Sequence, residues 1–111
     1  MIELICTRTC STCRKAVALL EDQGMAFTYR EYTKDPLSAD EIRSVLAKLG
    51  MGPRDVLRAA DAKKNGIADE LDDDALIAAM AEIPRLLQRP IGVKGAKAAL
   101  GRPVENLLSL R

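Results

Sequence analysis

The sequence predicts an α/β fold: a four-stranded mixed sheet with flanking helices, interrupted by an all-helical insertion. Three observations lead to this prediction. Residues 1–32 show strand, helix and strand patterns in that order, residues from about 36 to 86 show helical periodicity alone, and residues 89–111 show two short strands and a last helix. The chain has 111 residues, which suffices for one domain with a modest core and leaves no room for two. A single domain over residues 1–111 is therefore expected.

The first two strands and the helix between them are predicted from local patterns. The apolar run of residues 1–6 indicates the first strand, and apolar side chains then recur at helical spacing until Gly24 ends the helix. In residues 25–32, Phe27 and Tyr29 alternate with polar residues, which indicates a second strand with one buried face. Strands joined through a helix in one sheet are expected to be parallel, with a right-handed connection.

The insertion is predicted to consist of helices. Ser38 and Glu41 have the spacing of a capping box, and the apolar periodicity that follows them ends at Gly50. Asp55 is expected to cap a short helix over residues 56–58. A further helix is expected to begin at the acidic run of residues 72–74, where carboxylates favour the helix dipole, and this reading is preferred to a metal site.

The C-terminal third predicts a hairpin and a helix. Residues 89–93 indicate a short strand preceded by a proline, and the turn at Lys94-Gly95 leads to a second strand over about 97–100. Pro103 is expected at the first position of the last helix, where its missing N–H loses no partner. The predicted buried stripe of that helix is Val104, Leu107 and Leu108.

The candidate catalytic residues are the cysteines of a Cys-x-x-Cys pair. Cys10 and Cys13 lie between the predicted first strand and the helix that follows it, which is the setting of a thioredoxin-like redox motif. Unpaired N–H groups and the helix dipole stabilise a thiolate at such a position. Cys10 is therefore predicted to be the nucleophile and Cys13 the resolving thiol, while Arg14 adds positive charge as a candidate substrate-binding residue.

Other uses of these cysteines are less favoured. A structural disulfide between residues three apart would close a very small loop and constrain the unfolded chain little. A zinc site lacks ligands, because the chain has three Cys and no His. The spacing of Cys6, Cys10 and Cys13 is also found in iron–sulfur radical enzymes, but Cys6 falls inside the predicted strand and the chain is too short for their barrel. Cys6 is expected to be a small buried hydrophobe, and no metal is expected.

Composition excludes several classes of function. The formal net charge is +1 and the three aromatic residues are clustered, which argues against direct nucleic-acid binding. The sequence contains no apolar stretch of the roughly 20 residues that a membrane span needs, and no signal-peptide pattern. Three cysteines with one redox spacing suit a reducing compartment, so a cytoplasmic location without membrane contact is expected.

Four short motifs, in this order and spacing, resemble the glutaredoxin-coupled arsenate reductase (ArsC) family and its Spx-type and YffB-type relatives. They are Cys10 with Arg14, Val-Leu-Arg at 56–58, Arg-Pro-Ile at 89–91 and Gly-Arg-Pro at 101–103. The resemblance covers nearly the whole chain. It implies a thioredoxin-like fold, no bound cofactor, and glutathione with glutaredoxin as the reductant and partner.

The resemblance also implies roles for individual residues. Cys10 would attack arsenate, Arg58, Arg89 and Arg102 would hold the oxyanion, and Pro90 would follow a cis peptide bond. Arginine suits this task because its planar fork of donors matches the oxygens of such an anion. Cys13 offers an internal alternative to glutathione as the second thiol.

Departures from the family pattern leave two classes of function open. Arsenate reductases usually have His-Asn-Pro where this chain has Cys-Thr-Arg at 6–8, and they usually lack the second cysteine, Cys13, which Spx-type proteins carry. Spx-type proteins generally lack the Arg-Pro that this chain has at 102–103. The prediction is a thiol-dependent oxidoreductase acting on arsenate, a related oxyanion or a disulfide. The alternative is a redox-sensing regulator that binds RNA polymerase.

Overall fold

The computed structural model describes all 111 residues. The chain divides into two compact units, of which the first combines residues 1–35 with residues 89–111 and the second comprises residues 36–88. None of the helices is both long and apolar enough to span a membrane.

The first unit contains a four-stranded sheet. Its elements are β1 (Ile2–Cys6), α1 (Ser11–Asp22), β2 (Phe27–Glu31), β3 (Ile91–Lys94) and β4 (Lys97–Leu100). The strand order is β2-β1-β3-β4, with β1 parallel to β2 and antiparallel to β3, and β3 antiparallel to β4. The predicted mixed sheet, its four strands and the parallel first pair are all confirmed.

The core of the first unit lies between the sheet, α1 and the C-terminal segment. Its fully buried members alternate along β1 and recur along α1, as a strand and an amphipathic helix require. They include Leu4, Cys6, Cys13, Leu20 and Leu107. Cys6 is completely buried, as predicted. Gly95 has a φ of 59° at the β3–β4 turn, a conformation that glycine adopts without steric cost.

The last helix differs from its prediction. It is a 3-10 helix, Val104–Leu110, with Leu107 and Leu110 buried, whereas Val104 and Leu108 are only partly buried. Three residues per turn place residues i and i+3 on one face, which explains the buried pair. Pro103 is also not the first helical residue; it caps the helix in an extended conformation.

The second unit contains only helices, turns and one isolated β-bridge. The α-helices are α2 (Ala39–Leu49), α3 (Ala59–Lys64) and α4 (Asp73–Glu82), with short 3-10 helices at Pro53–Val56 and Pro84–Leu86. The predicted capping box of α2 is present, since Ser38 accepts from the Glu41 N–H and Glu41 accepts from the Ser38 N–H. Gly50 ends α2 in the left-handed conformation.

The predicted short helix over residues 56–58 is wrong. Asp55 closes a 3-10 helix over Pro53–Val56 by accepting a hydrogen bond from the Gly52 N–H at 2.9 Å. Leu57 then pairs with Leu87 in an isolated antiparallel bridge, so its backbone is extended. Arg58 consequently becomes the N-cap residue of α3.

Candidate active site

Cys10 occupies the N-cap position of α1. Its backbone is extended, with φ −92° and ψ 123°, and its carbonyl accepts the first intrahelical hydrogen bond from the Arg14 N–H at 3.1 Å. The Cys10 N–H donates to the Thr7 carbonyl at 3.1 Å, which turns the chain from β1 into α1. The half-buried Cys10 sulfur therefore lies at the positive end of the α1 dipole.

Arg102 connects this thiol to β3. Its Nη2 lies 3.9 Å from the Cys10 sulfur, and its Nε donates to the Arg89 carbonyl at 2.8 Å. The second contact uses the main chain, so the Arg102 fork is held in place whatever the Arg89 side chain does. One guanidinium is thereby fixed beside the candidate nucleophile.

Arg89 is a buried cation with one N–H donor that has no hydrogen-bond partner. The residue is only 6% exposed, its Nη1 donates to the Tyr32 hydroxyl at 3.1 Å, and its Nε is buried without any hydrogen-bond partner. Burial by itself lowers the pKa of Arg89, but Tyr32 and the Cys10 thiol outweigh burial and raise the pKa. An unpaired buried N–H on a charged group is costly, so it is a natural position for an anionic ligand.

Pro90 lies beside these groups, and the Arg89–Pro90 peptide bond is cis, as the resemblance implied. The Pro90 carbonyl accepts a hydrogen bond from the Gly101 N–H at 2.8 Å. A Cβ on residue 101 would come within 2.7 Å of the Pro90 ring, so only glycine permits this approach. The Gly-Arg-Pro motif thus supplies both a close contact to Pro90 and the Arg102 side chain.

Cys13 is enclosed next to Cys6. Its sulfur accepts a hydrogen bond from the Thr7 N–H at 3.4 Å. A hydrogen bond from the Cys6 thiol lowers the pKa of Cys13 to about 7, against the opposing effect of burial and with help from the Thr7 N–H. The same hydrogen bond raises the pKa of Cys6, which therefore stays protonated. The candidate resolving thiol thus ionises near neutral pH.

The loop before Cys10 is anchored by charged side chains. Glu31 accepts from the Arg8 N–H and from the Thr33 hydroxyl, each at 2.9 Å. Partial burial alone would raise the pKa of Glu31, but these hydrogen bonds lower it. Arg14 donates from Nη1 to the Arg8 carbonyl at 2.9 Å. Arg14 therefore holds this loop, and its contact with a substrate stays a prediction.

Arg58 belongs to the second unit. Its N–H donates to the Leu86 carbonyl at 2.7 Å, and its Nε pairs with the Asp61 carboxylate at 2.8 Å. Its predicted role in holding the oxyanion stays a prediction.

Sequence reasoning missed three positioning residues. Tyr32 and Glu31 carry no motif, because Arg89 and Arg8, which they contact, lie in distant segments of the chain. Thr7 contributes its backbone N–H to Cys13, a contact that its residue type does not reveal. Tyr32 and Arg89 are 57 positions apart. The one available signal was Tyr32 at the end of a predicted strand, where side chains commonly face a site.

The arrangement combines a nucleophile with anion-binding groups. Cys10 provides a sulfur at a helix N-terminus, Arg102 a guanidinium beside it, and Arg89 a buried unpaired donor. No group of three or more His, Cys, Asp or Glu side chains is arranged to hold a metal ion. Such a site can bind an oxyanion and attack it with a thiolate.

Comparison with known proteins agrees with this chemistry. The ArsC family model matches residues 6–110. The chain is 40% identical over 102 residues to an arsenate reductase of Neisseria meningitidis, covering 88% of this chain and 87% of that protein. It is 35% identical to a solved arsenate reductase from Vibrio cholerae, with a TM-score of 0.89 and coverage of 99% of this chain and 97% of that one. This likeness confirms the predicted thioredoxin-like fold.

A regulator is also among the relatives. The chain is 29% identical over 94 residues to the global transcriptional regulator Spx 1 of Lactococcus lactis, covering 82% of this chain and 73% of that protein. The reductases and the Spx-type proteins, which the motifs had indicated, are thus both related to this sequence.

Proposed function

The chain belongs to the ArsC family, and we propose that it is a thiol-dependent oxidoreductase that reduces arsenate or a closely related oxyanion. The observation that carries this proposal is the position of two arginines around one cysteine. Arg102 lies 3.9 Å from the Cys10 sulfur, and Arg89 keeps an unpaired buried Nε. Two cations would offset the repulsion between a thiolate and a multiply charged oxyanion, which lowers the barrier to attack.

The first chemical step is nucleophilic substitution. The Cys10 thiolate forms a bond to the arsenic atom of arsenate, and one arsenic–oxygen bond breaks, with the leaving oxygen taking protons to depart as water. Arg89 and Arg102 would hold the remaining oxygens, and Cys10 would keep the arsenic as a covalent thiol adduct. Arginine fits this task through its paired donors.

The second step is reduction. A second thiolate attacks the Cys10 sulfur, a disulfide forms, and the electron pair of the sulfur–arsenic bond stays on arsenic, which leaves as arsenite. Cys13 would supply that thiol internally, and its lowered pKa, about 7, provides a thiolate fraction at neutral pH. Glutathione would supply it externally, with glutaredoxin removing the mixed disulfide. The cytoplasm is the proposed location, because its thiol pool keeps both cysteines reduced.

Arg58 is proposed as a third oxyanion ligand from the family resemblance alone. Its pairing with Asp61 holds the side chain in the second unit.

The direct test is arsenite production from arsenate by the purified protein with glutathione and glutaredoxin. Activity that disappears in Cys10→Ser and persists in Cys6→Ser supports the proposal, and no activity in the wild type with any thiol would refute it. Thiol trapping and peptide mass spectrometry of oxidised protein should find a Cys10–Cys13 disulfide with Cys6 free. A Cys6–Cys10 bridge, or glutathione adducts alone, would argue against internal resolution.

The second candidate function is that of an Spx-type regulator. The observation that favours it is the Cys-x-x-Cys pair combined with the relationship to Spx 1 of Lactococcus lactis. The discriminating experiment is a pull-down of RNA polymerase subunits with reduced and oxidised protein. Redox-dependent capture of a polymerase subunit by a protein that reduces no arsenate would support the regulator and oppose the enzyme.

A further inference from the structure

The side chain of Asn106 closes the turn that carries Arg102. Its amide nitrogen donates to the Leu100 carbonyl at 3.1 Å and to the Arg102 carbonyl at 3.2 Å. A side-chain amide nitrogen carries two hydrogens, so each carbonyl receives one of them. No step of the proposed reaction has given Asn106 a role so far.

The turn has few backbone contacts of its own. Residues 101–103 lie between β4 and the last 3-10 helix and belong to neither. The Arg102 N–H closes a three-residue turn with the Leu100 carbonyl at 2.9 Å, which restrains only the residue between them. Pro103 has no N–H to donate. The Asn106 amide therefore supplies donors that the backbone of this turn lacks.

The position of Asn106 is set by the core of the first unit. The residue lies in the first turn of the last 3-10 helix, where its N–H donates to the Pro103 carbonyl at 3.0 Å. The next residue, Leu107, is completely buried in that core. Because a buried leucine holds the helix in place, the amide of Asn106 ties the turn at Arg102 to the core.

Arg102 depends on such support because its side chain makes two contacts in different directions. Its Nε donates to the Arg89 carbonyl at 2.8 Å, and its Nη2 lies 3.9 Å from the Cys10 sulfur. Arg102 is exposed, so packing contributes little to its orientation. The planar guanidinium can meet both partners only when the main chain that carries it has a fixed position.

We propose that Asn106 is a positioning residue for oxyanion binding, which fixes the main chain at Arg102 so that the guanidinium faces Cys10. The inference rests on the proposed function, because it takes Arg102 to be a ligand of the oxyanion. Asn106 is exposed and its amide contacts two main-chain carbonyls, so its effect on the substrate is transmitted by Arg102. The residue lies outside the Gly-Arg-Pro motif, which alone had marked this segment.

The discriminating variant is Asn106→Asp, which keeps the shape of the side chain but has no N–H donor at neutral pH. Its carboxylate would face two carbonyl oxygens, so the turn should be disturbed more than in Asn106→Ala. The first measurement is hydrogen exchange of the Arg102 Nε proton, followed by NMR without any oxyanion. Exchange should accelerate in Asn106→Asp, while the amide of the buried Leu4 in β1 should not change. Equal acceleration at both positions would indicate a general loss of stability and would overturn the proposal.

The second measurement is the dissociation constant of arsenate in a Cys10→Ser background, where calorimetry reports binding without turnover. The constant should rise about threefold in Asn106→Ala and about tenfold in Asn106→Asp, the range expected for hydrogen bonds between neutral groups. Ser109→Asp is the matched control for the added charge. Ser109 is exposed on the same helix, and its hydroxyl donates to the Asn106 carbonyl rather than to the amide. An equal rise in the two aspartate variants would overturn the proposal in favour of charge repulsion.

A double-mutant cycle tests whether Asn106 acts through Arg102. Arg102→Gln removes the guanidinium, so adding Asn106→Asp to it should not raise the dissociation constant further. Fully additive effects would overturn the proposal, because Asn106 would then act independently of Arg102. These measurements use binding and hydrogen exchange, so their failure is distinct from a failure to produce arsenite. A protein that shows the expected effects and yet makes no arsenite would support the role of Asn106 and refute the proposed reduction.

Discussion

Arg102 donates its Nε hydrogen to the main-chain carbonyl of Arg89 at 2.8 Å, and its Nη2 lies 3.9 Å from the Cys10 sulfur. One guanidinium therefore joins the segment before β3 to the N-terminus of α1. The contact with Arg89 is to the backbone, so it holds the chain that carries the second cation. A lysine ammonium, which is a point charge, could not make both contacts, because each contact uses a different nitrogen of the planar guanidinium.

The first prediction concerns Arg102→Lys. Lysine keeps the charge but has no rigid fork, so it cannot satisfy the Arg89 carbonyl and face Cys10 in the same geometry. The Michaelis constant for arsenate should rise about tenfold to a hundredfold, equivalent to about 1.5–3 kcal/mol. Steady-state kinetics provides the measurement, and Arg85→Lys, at an exposed arginine of the second unit, provides the control. An unchanged Michaelis constant in Arg102→Lys would remove this residue from the oxyanion site.

The second prediction concerns Tyr32→Phe. Arg89 Nη1 would lose its acceptor while remaining buried, in addition to the Nε that already has none. The free energy of unfolding should fall by about 1–3 kcal/mol, and the Michaelis constant for arsenate should rise because the guanidinium loses its orientation. Denaturant unfolding and kinetics measure the two effects. Tyr29→Phe is the matched control, since the Tyr29 hydroxyl takes no part in the Arg89 contact. If only stability changed, Tyr32 would have a structural role alone.

The third prediction is a pH dependence. The Cys6 thiol donates to Cys13 and so favours the Cys13 thiolate, which lowers the pKa of Cys13 to about 7. Replacing Cys6 by Ala removes that donor, so the pKa of Cys13 should rise towards the value of a free thiol, about 8.5. Thiolate absorbance in a Cys10→Ser background, with and without Cys6→Ala, follows the titration.

The rate of disulfide formation should follow the same shift in the pKa of Cys13. At neutral pH the fraction of Cys13 thiolate falls in Cys6→Ala, so formation of the Cys10–Cys13 disulfide should slow there and recover as the pH rises above the new pKa. Cys6→Ser keeps a hydrogen-bond donor and should resemble the wild type. A pH midpoint that does not move in Cys6→Ala would mean that groups other than Cys6, such as the Thr7 N–H and Arg89, stabilise the Cys13 thiolate.

The fourth prediction concerns Gly101→Ala. The added Cβ would lie 2.7 Å from the Pro90 ring, which is not a flexible chain end, and 3.2 Å from the side chain of the fully buried Leu107. Overpacking of this kind should lower the free energy of unfolding by about 1–3 kcal/mol and weaken arsenate binding by displacing the Arg89–Pro90 segment. Gly52→Ala is the matched control, because its Cβ would meet only Asp55, at an ordinary 3.7 Å. Equal effects of the two substitutions would show that the losses do not come from the close contact with Pro90.

Much of the fold was predictable because the signals for it are local. The β1–α1–β2 order, the Ser38 capping box and the turn at Gly95 all follow from periodicity or from residues a few positions apart. Cys10 and Cys13 were likewise identified from their spacing and from the strand before them. The identity of the candidate thiols and the class of fold therefore lie in the sequence itself.

Tertiary packing decided what these local signals could not. Tyr32 meets Arg89 across 57 positions and Cys10 meets Arg102 across 92, so no short pattern could reveal either pair. Packing also turned the last helix into a 3-10 helix that buries Leu107 and Leu110, and the bridge between Leu57 and Leu87 extended a segment expected to be helical. The physical reason is that helix type and side-chain partners depend on the surface each segment packs against, and that surface exists only once the chain has folded.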